Sequence, residues 1–520
     1  MQAVTRWILA HKKIVVAFWV VVTIVGMMSA GPASKALKQT FSVPNREGSE
    51  TNLQIARTFH GGGNEAPLVP VVTLPRGKTV ADPAVKGDLK AIAARIQRAV
   101  PGTRVASYAT GGDRAFVSKD GRTTYALAYP PPSGQAFGDN PDAEKAARKA
   151  LAGATVAGAP VHLTGLDALQ DTAGGSGGGP GVLVEALLGG VGALVVLGFV
   201  FASLLALVPI VIAIVSIMTT FLLVYGLTAF TDVSPIVQFL VALIGLGVAI
   251  DYSLLIVVRW REERAHGHEG DEAIVRAMAT AGRAVVFSGT TVAIGLLALV
   301  ALPLPFLRSV GYGGMLIPLV SVLVSTTLLP VILAKLGSRL DWPHVRTDDR
   351  ASRSWTRWGE FVVRRRWPAA IAGAIVLGLL LVAASNLQLG TANPDTIAKK
   401  GDAKDGLVAL GDAGIGSGAL QPIEVLVRGT DPKRVVAATS GLDGVHGATA
   451  PFGARGGAAL VEVIPHDTGA SDAGMATVDR VRQAAHGAGP DVRVGGITAE
   501  NRDFVDAVYG NFPLMIALIG

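Results

Sequence analysis

Long apolar runs alternate with polar stretches along the chain, and this pattern predicts several membrane-spanning helices. An α-helix rises about 1.5 Å per residue, so about 20 apolar residues cross a hydrocarbon core of about 30 Å. A further run begins at 512–520, where the sequence ends. We therefore expect a multi-pass helical membrane protein. The runs near or above the spanning length are residues 14–30, 182–201, 207–230, 235–258, 284–302, 310–336 and 369–387.

Two polar stretches, 36–180 and 390–511, are predicted to fold as domains outside the membrane. In each, strand and helix patterns follow one another in the order βαββαβ, which is the split βαβ or ferredoxin-like unit. In both, the first helix is preceded by an Asp-Pro pair, Asp82-Pro83 and Asp431-Pro432, which favours a helix start. The expected strands are residues 67–74, 103–107, 123–129, 161–165, 422–429, 444–450, 458–464 and 491–496.

The two parts of the chain resemble each other, which indicates an internal duplication. Each contains a basic segment, an apolar run and a polar domain, in that order. At the ends of the two domains, residues 161–170 align with residues 492–501, and Gly165 matches Gly496. More apolar runs follow the first domain, whereas the sequence stops early in the run after the second. We therefore expect one complete half followed by a truncated second half of the kind found in resistance-nodulation-division (RND) proteins.

Basic residues predict how the chain crosses the membrane, because lysine and arginine concentrate in cytoplasmic connectors. The N-terminus and the arginine-rich connectors are assigned to the cytoplasm, and both polar domains lie on the opposite side. A segment near 271–283 has apolar residues at helical spacing and is expected to form an amphipathic helix on the inner surface. The predicted division is 1–35 for the N-terminus and helix 1, 36–180 for the first domain, 181–337 for helices 2–6, 338–368 for a cytoplasmic connector, 369–389 for helix 7, 390–511 for the second domain and 512–520 for the start of helix 8.

Two further segments are interpreted individually. The run at 14–30 has small residues near its end, so a cleaved signal peptide is the alternative to an uncleaved first helix. The glycine-rich stretch at 174–181 is typical of a flexible connection between the first domain and the membrane.

The composition excludes several classes of protein and of functional site. Hydrophobic residues make up 50% of the chain, charged residues 16%, and the mean hydropathy is +0.46, which excludes a fully soluble protein. The net charge of +7 comes from basic residues beside apolar runs, so we attribute it to membrane topology and expect no nucleic-acid partner. The absence of cysteine excludes thiol catalysis, disulfides and cysteine metal sites. The nine histidines show no metal-binding spacing such as HExxH, so we expect neither a metal nor a cofactor.

One carboxylate interrupts the apolar run at 235–258. Asp251, followed at once by Tyr252, lies eight residues before Arg259, where the basic cluster marks the cytoplasmic end of the helix. That distance is on the order of 12 Å along the helix. An ionised carboxylate at such depth costs about 3 kcal/mol on insertion scales. Asp251 is therefore expected to be neutral part of the time, or to face a polar gap between helices. This indicates a proton relay, and an aspartate that only holds neighbouring helices together is the alternative.

Two glycines precede the carboxylate in the same run. Gly247 lies one turn before Asp251 on the same helical face, and Gly245 is close by. Glycine lets another backbone approach closely, so we expect tight helix packing beside the relay.

Two segments resemble the MMPL (mycobacterial membrane protein large) transporters of the RND superfamily. GLGVAIDYSLLIVVRWREE (245–263) is similar to their fourth-helix motif, and EAIVRAMATAGRAVVFSGTTV (272–292) to the amphipathic helix and fifth span that follow. The order of spans and exterior domains is similar over essentially the whole chain. The resemblance is specific in the Asp-Tyr motif, while the exterior domains match by topology alone.

The resemblance implies a secondary transporter of the bacterial plasma membrane, not an enzyme. It would be driven by the proton-motive force and export lipids or other hydrophobic compounds, with protons and the bilayer as partners. Asp251 and Tyr252 match the family's first Asp-Tyr pair, and the second pair falls on a tenth span beyond the end of this sequence. The resemblance also places Ser288 near the relay, although an ordinary hydrogen bond between helices is an equal explanation. Thr290 and Thr291 are weaker candidates.

Other functions fit the same fold class. A protein-export motor of the SecDF type would also couple to protons, and a sterol-sensing-like scaffold would transport nothing. An intramembrane hydrolase is disfavoured, because the sequence contains neither a GxSxG nor an HExxH motif. Neither the substrate nor the oligomeric state is indicated by any motif, because fold does not determine function.

Overall fold

The computed structural model describes residues 1–37, 43–132, 140–172, 182–201, 203–341, 353–385 and 393–519. Two helices open the chain, and a domain that mixes helices and strands follows them. Its main sheet has the order β2-β3-β1-β6, with every neighbouring pair antiparallel. The elements are α1 Gln2–Ala10, α2 Lys12–Ala36, α3 Glu47–Phe59, β1 Val69–Thr73, α4 Pro83–Ala99, β2 Arg104–Ser107, α5 Tyr108–Gly111, β3 Thr123–Tyr129, α6 Pro141–Leu151, β4 Thr155–Val156, β5 Ala159–Pro160, β6 His162–Thr164 and α7 Leu166–Thr172.

The central part of the chain is a helical bundle, and α10 packs against α8, α9, α11 and α12. Small and β-branched residues on the buried side of α10, such as Val241, Gly245 and Ala249, allow this close packing. The helices are α8 Val182–Phe201, α9 Leu207–Leu227, α10 Ile236–Ala265, α11 Gly270–Leu297, α12 Pro305–Leu340, α13 Arg353–Arg364 and α14 Arg366–Ser385.

Within the described residues, six helices are long and apolar enough to cross a membrane. The run at 182–201 is also helical, but its described apolar part, Leu187–Phe199, is shorter than a span. The glycine-rich stretch at 174–181 lies outside the described residues. The six are Lys12–Ala36, Leu204–Leu227, Ile236–Ala265, Gly270–Ala301, Pro305–Gly337 and Arg366–Ala384.

The structure corrects the prediction of a separate amphipathic helix near 271–283. That segment and the next apolar run form one continuous helix, α11. Its first turns are packed into the bundle, where Ala273, Ile274 and Met278 are buried. The segment is therefore continuous with the next apolar run, and its apolar face packs against the helical bundle.

The last part of the chain is a second mixed domain, whose sheet has the order β10-β7-β9-β8 with every neighbouring pair antiparallel. The expected start of an eighth span at 512–520 is joined to the end of this domain by one helix, α19. The elements are α15 Pro394–Ile397, α16 Asp402–Asp412, β7 Ile423–Arg428, α17 Pro432–Thr439, β8 Val445–Thr449, β9 Ala458–Pro465, α18 Asp472–Ala488, β10 Asp491–Gly495 and α19 Ile497–Ile519. Short 3₁₀ turns lie at Arg114–Phe116, Leu204–Ala206, Ala298–Ala301 and Ser417–Leu420.

The two predicted Asp-Pro helix starts behave differently. Both helices begin at the proline, but only Asp431 caps its helix, by accepting a hydrogen bond from the Lys433 backbone N–H at 3.0 Å. Asp82 makes no side-chain cap to α4 and instead accepts from the Thr79 backbone N–H at 3.3 Å. Proline at the first helical position therefore suffices to start α4.

Each mixed domain receives a helix from the other part of the chain. Helix α3 follows α2 but packs on β10 of the second domain, and α16, which follows α14, packs on β6 and β1 of the first. Apolar residues bury the contacts: Ile55 and Phe59 meet Leu426 and Leu460, and Leu407 and Leu410 join the core of the first domain.

The exchanged helices are anchored at matching positions. The Glu47 carboxylate at the start of α3 accepts from the Val494 backbone N–H at 2.9 Å. The Asp402 carboxylate at the start of α16 accepts from the Leu163 backbone N–H at 3.0 Å. Leu163 and Val494 are equivalent in the alignment that matches Gly165 with Gly496. Both glycines have a positive φ and face a proline carbonyl, of Pro67 and of Pro422 respectively.

The Glu47 anchor gives a testable expectation for stability. Its carboxylate also contacts Arg482 at 3.1 Å and His486 at 2.7 Å. Glu47→Ala leaves the Val494 N–H without this acceptor, and it should destabilise the chain by about 1–3 kcal/mol. The measurement is the thermal midpoint of the full chain in detergent. Glu50→Ala is the matched control, because the Glu50 carboxylate makes an exposed 3.5 Å pair with Arg493, and its loss should change little. Equal midpoints for the two variants would contradict the anchor.

Candidate functional site

Asp251 and Tyr252 project from different sides of α10. Asp251 is exposed near the middle of the helix, whereas Tyr252 is buried, with 9% of its surface accessible. Consecutive side chains on a helix point about 100° apart, which separates the carboxylate from the phenol. The pair therefore presents an acid on one face and an aromatic ring to the bundle on another.

The ring of Tyr252 packs against α11 at Gly289. A methyl group on Gly289 would place its carbon 3.3 Å from the Tyr252 hydroxyl oxygen and would overlap Cγ2 of Val322 on α12. Glycine is therefore the residue that lets α10, α11 and α12 meet at this level. Gly289 was not among the site residues predicted from the sequence. Its signal was the run of small residues from Ser288 to Thr291.

The two predicted packing glycines differ in their surroundings. Gly245 is buried, and a methyl group there would meet Ile217 of α9 at 3.3 Å and Ile317 of α12 at 3.7 Å. Gly247 is exposed, and the described residues leave open space within 4 Å of such a methyl group. Gly247 and Asp251 thus share one exposed face of α10. Close packing occurs at Gly245, on a different face of α10 from the carboxylate.

The hydroxyl candidates on α11 are also exposed. Thr290 and Thr291 donate to carbonyls of their own helix, those of Val286 at 2.8 Å and Phe287 at 2.9 Å. Their protons are therefore occupied within α11. Ser288 lies on α11 next to Gly289, the residue at which this segment packs against Tyr252.

Ion pairs fix the arginine end of α10 to α12. Arg264 contacts Asp341 at 3.0 Å, and Arg261 pairs with the same carboxylate. One turn earlier, the Trp260 ring packs on Gly337, where a methyl carbon would lie 2.9 Å from it. These contacts hold α10 in a defined rotation, which sets the direction in which Asp251 faces.

An apolar groove of about 590 Å³ opens between α2, α9 and α12. Its wall includes Trp19, whose indole N–H donates to the Thr327 hydroxyl at 3.0 Å. Lys335 is an exposed cation on its rim. The groove thus combines an apolar wall with one basic group. Among the described residues, no cluster of three or more histidine, cysteine or acidic side chains is arranged to bind a metal ion.

Comparison with known proteins identifies the chain. The MMPL family model matches residues 41–371, which include the whole of α10 and α11. The chain belongs to the MMPL family. Its members are membrane transporters of the RND superfamily, so this MMPL chain is grouped with transporters and not with enzymes.

Individual relatives agree with this assignment. The chain is 36% identical over 354 residues to the mycolic acid-containing lipids exporter MmpL11 of Mycolicibacterium smegmatis, a match covering 63% of the chain and 36% of the exporter. It is 33% identical over 350 residues to the heme uptake protein MmpL11 of Mycobacterium tuberculosis H37Rv, with the same coverage. The match thus spans about a third of the length of these relatives.

A solved structure has a similar fold. The hedgehog release protein Disp from the water bear Hypsibius dujardini superposes with a TM-score of 0.53 at 12% identity, covering 100% of this chain and 81% of that one. At such identity the likeness concerns the fold alone.

Proposed function

We propose that this MMPL chain is part of a secondary transporter that uses the proton-motive force to export lipids or other hydrophobic or amphiphilic compounds across the bacterial plasma membrane. Its N-terminus would be cytoplasmic and its two mixed domains extracytoplasmic. The sheet orders β2-β3-β1-β6 and β10-β7-β9-β8 support assigning both domains to the ferredoxin-like class.

The observation that carries the proposal is the position of Asp251. It is an exposed carboxylate in the middle of α10, an apolar helix long enough to cross a membrane. An ionised group at that depth is costly, and intramembrane carboxylates mark proton or ion pathways. In the proposed relay, a proton from outside neutralises Asp251, and its loss inward resets the helix. Each elementary charge that crosses the membrane down its potential releases about 2.3 kcal/mol per 100 mV.

Tyr252 has a different role in this mechanism. Its ring packs on Gly289, so a rotation of α10 that follows protonation of Asp251 would be transmitted to α11. Ser288 is carried on the same segment of α11 and is proposed as a proton donor or acceptor. The mechanism therefore links a charge change on one face of α10 to movement of its neighbour.

Two features favour a lipid-like substrate. The M. smegmatis relative is named an exporter of mycolic acid-containing lipids. The groove between α2, α9 and α12 has an apolar wall suited to an acyl chain, and Lys335 on its rim is suited to an anionic head group. A hydrophobic compound could therefore leave the bilayer along the helices.

The proposal is tested by comparing the exported lipids of a strain that lacks the gene with those of the complemented strain. We expect at least one surface lipid to decrease on the outside and accumulate inside the deletion strain. Complementation should restore it. Identical lipid profiles in the two strains would refute lipid export, and a growth defect restricted to heme as the iron source would instead favour the activity named for the M. tuberculosis relative.

A further inference from the structure

Two glutamates lie side by side in the core of the second exterior domain. Glu424 on β7 and Glu462 on β9 are direct partners across the sheet. Only 2% of Glu424 and 0% of Glu462 is accessible. Like charges directly opposite each other destabilise a sheet, and a buried carboxylate also loses its hydration. Both costs disappear for a carboxyl that holds a proton.

The first domain covers this pair. The Tyr129 hydroxyl on β3 donates to Oε2 of Glu462 at 2.9 Å, and the Gly63 backbone N–H donates to Oε2 of Glu424. The other oxygen of each carboxyl, Oε1, is buried without a hydrogen-bond partner in the described part of the chain. The contact from Tyr129, which lies on a strand of the first domain, exists only while the two domains are packed together.

One cation faces the two acids. Arg104 on β2 is 8% exposed, donates to the Gly61 carbonyl at 2.6 Å, and is enclosed by the rings of Phe59, Tyr129 and Phe452 at 4.4–5.5 Å. With both carboxylates ionised the cluster carries one net negative charge. With one proton it is neutral, which is the form that burial favours.

The other groups around the pair do not change the net charge of this cluster. Tyr125 on β3 is a further titratable group near Glu462, and its hydroxyl donates to the Ala115 carbonyl at 2.9 Å. The cross-strand neighbours on the flanking strands are the uncharged Gly495 and Thr449. Burial raises the pKa of Glu424 well above its usual value, with the charge of Glu462 adding to it, and burial raises the pKa of Glu462 to about 7 against the opposing charge of Arg104.

The duplication shows that the fold does not require these acids. Pro67 and Pro422 occupy equivalent positions, so Glu424 corresponds to Val69 on β1. The register that pairs Val71 with Tyr125 places Leu127 opposite Val69. Both of these residues are buried and apolar. The same positions in the sister domain therefore form an ordinary core, which indicates a separate role for the carboxyl pair.

We propose that Glu424, Glu462 and Arg104 form a proton-binding contact between the two exterior domains, which holds one proton while the domains are packed and releases it when they separate. The contact is a second proton-sensitive element outside the membrane. It stands independently of Asp251 and of the proposed export function.

The direction of the pH effect follows from the raised pKa values. The packed state binds the proton more tightly than the separated state, in which the carboxyls regain water and their pKa values fall toward the ordinary value of 4.5. The stability of the contact is therefore fully present below about pH 4.5 and is lost as the pH rises through about 7. Acid favours packed domains, and alkali favours separated ones.

The test measures the distance between the domains in the full chain. The sequence contains no cysteine, so Lys90→Cys on α4 and Ala476→Cys on α18 provide two exposed spin-label positions in different domains. In nanodiscs, double electron–electron resonance should show the fraction of long distances increasing between pH 5.5 and pH 8.5. In Glu462→Gln the distribution should remain short at both pH values, because the amide cannot ionise. Glu424→Gln should behave alike and provides a second variant if the first fails to fold.

Two other groups supply controls. Glu500 is also buried with a raised pKa caused by burial, but it contacts Ser49 and Asn52 of α3. Glu500→Gln should therefore retain the pH response. His446 contacts the first domain, and burial lowers its pKa, so its charging would separate the domains in acid. An increase in the fraction of long distances in acid would overturn the proposal. So would a pH response that Glu500→Gln abolishes and that Glu462→Gln and Glu424→Gln both keep.

Discussion

Asp251→Asn is expected to reduce transport to the level of an empty vector. Asparagine has nearly the same shape as aspartate but cannot bind or release a proton, so the driving force can no longer act on α10. The removed group is exposed on α10 and lies away from the packed side at Gly245, so the fold should be kept. The measurement is the export of labelled lipid by the complemented deletion strain, with membrane levels of the protein compared by immunoblotting.

The matched control for this variant is Glu262→Gln. Glu262 is on the same helix and pairs with Arg259 at 2.7 Å, at the arginine end of α10. The substitution also removes one negative charge, but from a partly exposed ion pair near the end of α10, so transport should remain near wild type. If Asp251→Asn still transports, the relay is refuted. If both variants fail equally, the loss reflects charge or folding and not proton transfer.

The spanning helices could be predicted from the sequence because the bilayer imposes a simple rule of length and apolarity. The runs at 207–230, 235–258 and 310–336 each lie largely within one helix of the bundle. The boundary inside α11 was misjudged. Neither proline nor another strong helix stop separates Gly282 from Ala284, so the amphipathic turns and the apolar run continue as one helix.

Non-local contacts could not be predicted in this way. The helical patterns of α3 and α16 give no sign that each packs on the other domain, because periodicity identifies an apolar face but not its partner. The same holds for Glu424 and Glu462. Both were included in predicted strands, but their pairing depends on a register between segments far apart in the chain. Burial of the pair depends on the first domain, which sequence spacing does not indicate.

The candidate site also combines a residue that could be predicted locally with contacts that could not. Asp251 was identified because a carboxylate in an apolar run is costly at its own position, whatever surrounds it. The importance of Gly289 depends on where Tyr252 and Val322 lie, and these residues belong to two other helices. A glycine within a helix carries no local signal that distinguishes a close approach from open space, as Gly245 and Gly247 demonstrate.

Gly289→Ala is expected to destabilise the bundle and to impair transport together. The added carbon would overlap Cγ2 of Val322, so the Val322 side chain or the two helices must move, and the Tyr252 ring must also give way slightly. Overpacking of this kind costs about 1–3 kcal/mol. The measurements are the thermal midpoint of the full chain in detergent and lipid export in cells.

Two further variants separate overpacking from a general effect of alanine on α11. Gly295→Ala lies on the same helix in open space, so it should be neutral or stabilise by up to about 1 kcal/mol, since alanine is the better helix former. Adding Val322→Ala to Gly289→Ala removes the overlapping methyl group and should recover part of the lost stability, a non-additive result that neighbouring residues produce. Equal midpoints for Gly289→Ala and Gly295→Ala would mean that the three helices do not depend on glycine at this level, and Tyr252 would then have no fixed support on α11 through which a change at Asp251 could be transmitted.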